Sequence, residues 1–121
     1  MSTHQINFTG VATVSHDFLI DVAICAVEGG IGYWSQVSDY DCDEGTATIH
    51  DSAEADGSVK IYALSPALVL EGIRLFVSGP YVEAYRLIVL GCILADDASD
   101  IDSDIADLIV QIACFGQVVY G

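Results

Sequence analysis

The sequence predicts an α+β fold, in which a small antiparallel sheet, made of a three-stranded meander and short terminal strands, packs with about four helices. Strand-like segments are grouped in the first half of the chain, and three helical patterns follow one another after residue 65. Because strands and helices occur in blocks, the pattern favours α+β over a regularly alternating α/β fold. The length of 121 residues is typical of one core, so we expect a single domain over residues 1–121.

The chain opens with a predicted strand and helix. Residues 5–14 alternate loosely between apolar and polar side chains, which indicates one short strand. Ser15 is a residue type that caps helices, and the helix that follows it extends to about Glu28. Gly29 and Gly30 are expected to end this helix, because glycine tolerates the left-handed conformation found at helix C-termini.

A meander of three antiparallel strands is predicted next. Residues 31–40, 46–50 and 59–64 are short β-type segments. The link over residues 53–57 ends in Asp-Gly, a dipeptide that favours tight turns between strands.

Two helices with clear boundaries follow the meander. Ser65 and Pro66 have the residue types of a helix cap and a first helical position, and Gly79 with Pro80 ends this helix. Residues 81–95 form a third helix that is apolar almost all round. A helix of this kind is expected either in the interior or at a subunit contact.

The last predicted helix covers residues 104–115. Asp102 or Ser103 caps its start, and Gly116 ends it. The tail from Gln117 to Tyr120 is predicted to form a final short strand.

The charge of the chain excludes several classes of protein. Eighteen acidic side chains against three basic ones give a formal net charge of −15. So few cations cannot neutralise several phosphates, which excludes direct binding to DNA or RNA and disfavours an anionic membrane surface. Disorder is excluded as well, because 53% of the residues are apolar.

The sequence predicts a cytoplasmic protein. Its longest apolar run, residues 87–95, is too short to span a bilayer, which takes about 20 residues. The first ten residues lack the basic and apolar regions of a signal peptide. The four cysteines show no CxxC spacing, which is typical of buried thiols in a reducing compartment.

The carboxylates are concentrated in two segments, residues 39–56 and 96–107, which contain no lysine or arginine. One interpretation is a solvated loop and a helix N-terminus, where negative charge is favourable. Another is a surface that resembles a nucleic-acid backbone, because carboxylates three or four residues apart on a helix lie about 5–6 Å apart. The clustered side chains are Asp39, Asp41, Asp43, Glu44, Asp51, Glu54, Asp56, Asp96, Asp97, Asp100, Asp102, Asp104 and Asp107.

A divalent-cation site is a third interpretation of the same residues. Asp100, Asp102 and Asp104 have the spacing that opens a calcium-binding loop, but Ile105 stands where glycine is needed and Gln111 where glutamate is needed. The sequence contains neither a local nucleophile motif nor a histidine pair at metal-binding spacing. We therefore predict no catalytic, cofactor-binding or metal-binding residues.

Binding of a protein partner with a basic surface is the function that these patterns favour. The carboxylates would make the electrostatic contact, and an aromatic side chain next to them would be the apolar anchor. Alternation along the first meander strand is expected to turn at least one ring of Tyr33 and Trp34 outward. The predicted partner-binding residues are Trp34, Tyr40, Asp41, Asp43, Asp102, Asp104 and Asp107.

Two segments of the chain resemble a family of small acidic proteins of actinobacteria and their phages. They are FLIDVAICAVEGGIGYWSQVSDY (18–40) and IADLIVQIACFGQVVYG (105–121), and the string AVEGGIGYW (26–34) is the more specific part. The family is without an assigned activity, so the resemblance implies no catalytic residues. It implies a bacterial or phage protein in the host cytoplasm.

Together, these observations predict a non-catalytic acidic protein, of the kind phages use to inhibit host defence, that occupies a basic groove as a nucleic-acid mimic. An anti-CRISPR or anti-restriction inhibitor is the concrete form of this hypothesis. The alternatives are a structural or assembly domain that forms a homodimer through its third helix, and a binder of a small molecule or divalent cation.

Overall fold

A computed structural model describes residues 3–7, 11–51 and 58–121 of the chain. It confirms the α+β fold: two small antiparallel sheets, of two and three strands, pack with four α-helices in this described part. The elements are β1 Thr3–Asn7, β2 Val11–Ser15, α1 His16–Cys25, β3 Ser35–Asp41, β4 Thr46–Asp51, β5 Lys60–Leu64, α2 Pro66–Ser78, α3 Glu83–Ala95 and α4 Ser103–Phe115.

The N-terminal segment forms a hairpin, so the prediction of one strand over residues 5–14 is wrong. Strands β1 and β2 pair antiparallel, with Thr3 opposite Ser15. Each strand places an apolar side chain in the core, Ile6 from β1 and Val14 from β2. The sequence predicts one strand instead of two because both segments show the same loose alternation of apolar and polar residues. As predicted, the hydroxyl of Ser15 caps α1 by accepting the backbone N–H of Phe18 at 3.2 Å.

Helix α1 ends through a single wider turn over Ala26–Gly30, in which the N–H of Ile31 donates to the carbonyl of Ala26 at 2.9 Å. The explanation predicted for Gly29 and Gly30 is wrong, because neither residue has a positive φ. A Cβ on Gly30 would lie 2.8 Å from the carbonyl oxygen of Ser103. Glycine is required here because the backbone of α4 passes directly over this turn.

The predicted meander is confirmed as a sheet in the order β3-β4-β5. Its first strand begins at Ser35 and not at residue 31, because Trp34 and Ser35 both donate backbone hydrogen bonds to the carbonyl of Ile31 and close a turn. Asp39 has a φ of 53°, and the register shifts between Ser38 and Asp41. This irregularity breaks the simple alternation of faces. The turn predicted at 53–57 lies outside the described residues.

The helices α2 and α4 form the centre of the core. Their backbones approach closely at Gly72, where a Cβ would overlap the carbonyl oxygen of Ile109. Ile73 and Phe76 from α2 and Ile112 from α4 are completely buried beside this crossing. The predicted caps Ser65 and Asp102 are both confirmed by side-chain hydrogen bonds to the first turn of the helix.

Helix α3 is only partly interior. Val89 and Ile93 are buried, whereas Leu87 and Leu94 are 57% and 70% exposed. No helix among the described residues is long and apolar enough to cross a membrane.

The C-terminal tail does not form the predicted strand. Gly116 ends α4 in the left-handed conformation, with a φ of 74°, as expected. The backbone N–H groups of Val119 and Tyr120 then donate to the side-chain oxygen of Gln111, at 2.9 and 2.8 Å. Because a glutamine side chain satisfies these groups, the tail needs no neighbouring strand.

Candidate functional site

Helix α1 lies between the two acidic segments and joins them into one surface, which we call the carboxylate band. Its members are exposed carboxylates on α1, on the turn between β3 and β4, and on the segment between α3 and α4. They are Asp17, Asp21, Glu28, Asp41, Asp43, Glu44, Asp96, Asp97, Asp100 and Asp102.

One flank of the band is the turn that follows β3. The hydroxyl of Tyr40 donates to the Glu28 carboxylate at 2.6 Å, and a Cβ on Gly45 would lie 3.1 Å from the Cα of Ile20. Asp41 shapes this turn by accepting the backbone N–H groups of Asp43 and Glu44, at 3.0 and 3.2 Å. The turn is therefore packed directly against α1.

The other flank is the segment that leaves α3. The Asp96 carboxylate accepts the backbone N–H of Ser15 at 2.8 Å, at the start of α1. Further along the same helix, the thiol of Cys25 donates to the carbonyl of Ile101 at 3.5 Å. These contacts fix the second acidic segment along the side of α1 opposite to the turn.

The surroundings of Asp21 disfavour the charged form of its carboxyl group. Partial burial, and then the charges of Asp17 and Asp97, raise the pKa of the Asp21 carboxyl above its usual value. Asp17 precedes Asp21 by one helical turn, and Asp97 belongs to the other acidic segment. The influence of Asp97 shows that charge from the two parts of the sequence acts on one point of the surface.

Both arginines are engaged elsewhere. Arg74 donates to the carbonyl of Gln5 at 2.9 Å and lies 3.9 Å from Glu71 on its own helix. Arg86 donates to the carbonyl of Val77 at 3.3 Å, and its nearest carboxylate contact is 3.6 Å, to Glu83. Neither guanidinium offsets the charge of the band.

Of the predicted partner-binding residues, Tyr40, Asp41, Asp43 and Asp102 lie on or beside this surface. Asp102 also caps α4 by accepting the N–H of Ile105 at 2.9 Å. Asp104 is exposed but lines a separate cavity of about 370 Å³ with Tyr33 and Tyr85.

The predicted contact roles of Trp34 and Asp107 are not supported, because both side chains are interior. Trp34 is 5% exposed and Asp107 is 7% exposed. The Trp34 indole N–H donates to Asp107 at 2.8 Å, and the Tyr33 hydroxyl donates to the same carboxylate at 2.6 Å. Tyr33 is the aromatic ring that turns outward, at 60% exposure.

One further carboxylate of the first acidic segment, that of Asp51, does not add to the surface. Asp51 is buried and accepts the hydroxyl of Tyr120 at 2.8 Å. Glu54 and Asp56 lie outside the described residues.

The pKa values of Tyr33 and of three cysteines are raised above their usual values. Burial, followed by the hydrogen bond to Asp107, raises the pKa of Tyr33 to about 12. Burial raises the pKa of the Cys114 thiol to about 12, and it also raises the pKa of Cys25 and Cys92. Thiols of this kind are poor nucleophiles at neutral pH, because the thiolate is the reactive species.

The described residues contain no group of three or more histidine, cysteine, aspartate or glutamate side chains arranged to hold a metal ion. Asp100, Asp102 and Asp104, which have calcium-loop spacing, serve different parts of the surface. Asp100 lines a groove beside α3, Asp102 caps α4, and Asp104 faces the cavity at Tyr33.

Sequence reasoning did not assign Asp17, Asp21 and Glu28 to the site. They stand at i, i+4 and i+11 and so form one polar stripe on α1, but any surface helix shows such a stripe. The signal that makes them functional candidates is tertiary: both acidic segments pack against this stripe.

Comparison of the chain with protein-family models, with curated proteins and with solved structures found no match. The resemblance to small acidic actinobacterial and phage proteins therefore remains a prediction.

Replacing Asp21 with asparagine is expected to stabilise the protein. A carboxyl whose pKa is raised in the folded state binds more protons than in the unfolded state, so its contribution to stability falls as pH rises above about 3.8. At pH 7 the charged Asp21 is therefore unfavourable, and Asp21→Asn should gain about 0.5 kcal/mol in low salt. Thermal melts at pH 7 and pH 3.5 check this, because the gain should vanish at the lower pH.

Asp97→Asn is the matched control for this measurement, because its shift has the opposite sign. Hydrogen bonds from Ser99 lower the pKa of Asp97, so its stabilising effect is present at neutral pH and is lost on acidification. We expect Asp97→Asn to lower the melting temperature at pH 7. If the melting temperature at pH 7 rises in both variants, the overall charge of the protein, and not the local environment of each carboxylate, determines the change in stability.

Proposed function

We propose that the protein is a non-catalytic interaction protein whose carboxylate band occupies a basic, nucleic-acid-binding groove on a partner protein. The observation that carries this proposal is the joining of the two acidic segments through α1. Separate solvated loops would need no such arrangement, whereas a mimic of a phosphate backbone needs many charges on one continuous surface.

The spacing of the charges suits this role. Asp17 and Asp21 are one helical turn apart, so their Cβ atoms lie about 5–6 Å from each other. The turn at Asp43 and the segment at Asp97 continue the charge on both sides of the helix. A basic groove that normally follows a phosphodiester chain would therefore meet negative charge at comparable intervals.

The stability cost of the band supports a function. Like charges at such distances destabilise a folded chain, and the charges of Asp17 and Asp97 add to the effect of burial in raising the pKa of Asp21. Neither arginine offsets them. A partner that supplies lysine or arginine side chains would relieve this repulsion on binding, which adds to affinity and to the rate of association.

In a bacterial or phage setting, the proposal takes the form of an inhibitor that blocks a nuclease or other nucleic-acid-binding defence protein. The inhibitor would act in the cytoplasm, by competing with DNA or RNA and not by chemistry. Its affinity would fall steeply with salt, as expected for a contact dominated by exposed charges.

The main alternative is a structural or assembly role as a homodimer. One observation favours it, the exposed apolar face of α3 with Leu87 and Leu94. In this alternative the acidity would only keep the assembly soluble.

A charge-reversal experiment tests the proposal. The double variant Asp21→Lys/Asp43→Lys places two cations on the band, and Glu71→Lys/Glu83→Lys makes the same change of net charge on α2 and α3. Wild type and both variants are immobilised and exposed to a bacterial lysate, and bound proteins are displaced with duplex DNA. We expect to capture a protein that duplex DNA displaces. The variant Asp21→Lys/Asp43→Lys should bind this protein about tenfold more weakly than the wild type in low salt, whereas Glu71→Lys/Glu83→Lys should bind it as tightly as the wild type.

Equal capture by the two variants would contradict the proposal, since overall charge would then explain the binding. Bound proteins that duplex DNA fails to displace would contradict the nucleic-acid mimic in particular. Sedimentation over a range of concentrations tests the homodimer separately.

A further inference from the structure

An apolar groove runs beside α3, on the face of the helix that is turned to solvent. It has a volume of about 540 Å³, and its apolar lining comes from α3 itself, at Leu87, Ile88, Gly91 and Ala95. Leu94, at 70% exposure, extends the apolar surface toward the end of the helix. A concave surface that exposes several apolar side chains is typical of an interaction site.

Gly91 keeps the centre of this groove open. It lies in the middle of α3, one helical turn after Leu87, and a Cβ at this position would meet no atom within 4 Å. A glycine inside a helix weakens it relative to alanine, and none of the described residues packs closely enough here to require the missing side chain. The glycine instead leaves space that a side chain of a binding partner can occupy.

The opposite wall of the groove is pre-formed and acidic. The backbone N–H of Asp97 donates to the carbonyl of Cys92 at 3.0 Å, and the Asp97 carboxylate accepts the N–H of Ser99 at 2.9 Å. Asp97 and Asp100 line the rim, both exposed. Asp97 and Asp100 are also members of the carboxylate band, so the groove borders the band.

We propose that this groove docks an amphipathic helix of the partner, with apolar side chains on the face it inserts and lysine or arginine along its edges. The inference rests on the proposed function and specifies how the partner is held. An apolar floor with carboxylates on its rim is complementary to such a helix, which presents anchors at i, i+3, i+4 and i+7. Helix α3, with 13 residues, offers about 20 Å of contact length, or between three and four turns.

The charge of the groove argues against a second copy of the chain as its occupant. A second α3 would bring its own Asp97 and Asp100 to a rim that is already negative. The basic residue of α3, Arg86, already contacts the carbonyl of Val77 and the carboxylate of Glu83 in its own chain.

Two synthetic peptides of identical composition test this inference. One is a labelled 14-residue helix of leucine and lysine with the leucines on one face, and the other has the same residues in scrambled order. Fluorescence anisotropy should show the amphipathic peptide binding about tenfold more tightly to the wild type, because only it can fill the groove while its lysines face the rim.

Three variants locate the binding. Gly91→Leu should fill the groove without disturbing the fold, and Leu87→Ser should remove part of its apolar lining. Both are expected to abolish the tenfold preference, whereas Ile61→Ser, which changes an exposed side chain on β5, should keep it. Circular dichroism and melting curves establish that each variant is folded, and Gly91→Leu should melt at or above the wild-type temperature.

The band variant Asp21→Lys/Asp43→Lys separates this inference from the proposed function. If this variant binds both peptides more weakly by the same factor, and the wild type shows no preference for the amphipathic peptide, the groove proposal is wrong and the acidic function stands. If the wild type prefers the amphipathic peptide but the band variant binds both peptides as tightly as wild type, the electrostatic function is wrong and the groove proposal stands. A wild-type dimer that Gly91→Leu dissociates, without peptide binding, would assign the groove to a second copy and overturn the inference.

Discussion

Replacing Gly72 with alanine should destabilise the protein by about 3 kcal/mol, the upper part of the range for added volume in a packed core. The added Cβ would overlap the carbonyl oxygen of Ile109 and lie 3.0 Å from the side chains of Ile109 and Ala113. A backbone carbonyl in the middle of α4 cannot move aside as the end of a flexible side chain would. Helices α2 and α4 would have to separate, which loosens the contacts of Ile73 and Phe76 in the core.

The same substitution at Gly91 is the matched control, with the opposite sign. Gly91 also lies inside a helix, but the space around its Cβ position is open. Gly91→Ala should therefore stabilise the protein by about 0.5–1 kcal/mol, through the lower flexibility of the unfolded chain and better helix propensity. Urea denaturation of both variants measures the two changes. Equal effects would mean that helix propensity, and not the crossing at Gly72, decides the outcome.

Local signals made most of the element boundaries predictable. Ser15, Ser65 and Asp102 each cap a helix with a side-chain hydrogen bond, as expected from residue type and position. Gly116 ends α4 in the left-handed conformation. Each of these signals acts within one turn of the chain, so the sequence contains all the information that is needed.

The reasons for other residues are tertiary and could not be predicted. Gly30 and Gly72 look like an end and a weak point of a helix, but in both cases the backbone of α4 lies where a side chain would stand. The tail from residue 117 has the alternation of a strand, and only the position of Gln111 shows that a side chain takes the place of a neighbouring strand.

The candidate site was predictable in composition but not in shape. The two acidic segments stand out in the sequence, whereas their packing on either side of α1 depends on contacts such as Tyr40 with Glu28 and Asp96 with Ser15. Asp107 is predicted as a contact residue because it belongs to the second acidic segment, yet it is buried. Its spacing of four residues from Gln111, inside an apolar helix, was the available signal for a buried polar pair.

Asp107→Ala should destabilise the protein by about 3 kcal/mol, because it removes the shared acceptor of a buried hydrogen-bond cluster. The carboxylate accepts from Tyr33, from the indole of Trp34, and from the amide of Gln111 at 3.0 Å. Removing it leaves the indole N–H of Trp34 without an acceptor in the interior. Gln111 also binds the tail at Tyr120, so the loss of its partner should loosen the C-terminal segment.

Two further variants separate the hydrogen bonds from the charge. Asp107→Asn keeps an oxygen for Trp34 and Gln111, so we expect a loss of only about 1 kcal/mol. Asp104→Ala removes an exposed carboxylate from the first turn of α4 and should cost about 0.5 kcal/mol or less. Urea denaturation gives the free energies, and the emission of the single tryptophan reports on the cluster directly, since the ring of Trp34 stacks on that of Tyr120 at 5.4 Å. If Asp107→Ala is as stable as Asp104→Ala and its tryptophan emission is unchanged, the hydrogen-bond cluster is not needed to hold the tail. The stacking of the aromatic rings would then be sufficient.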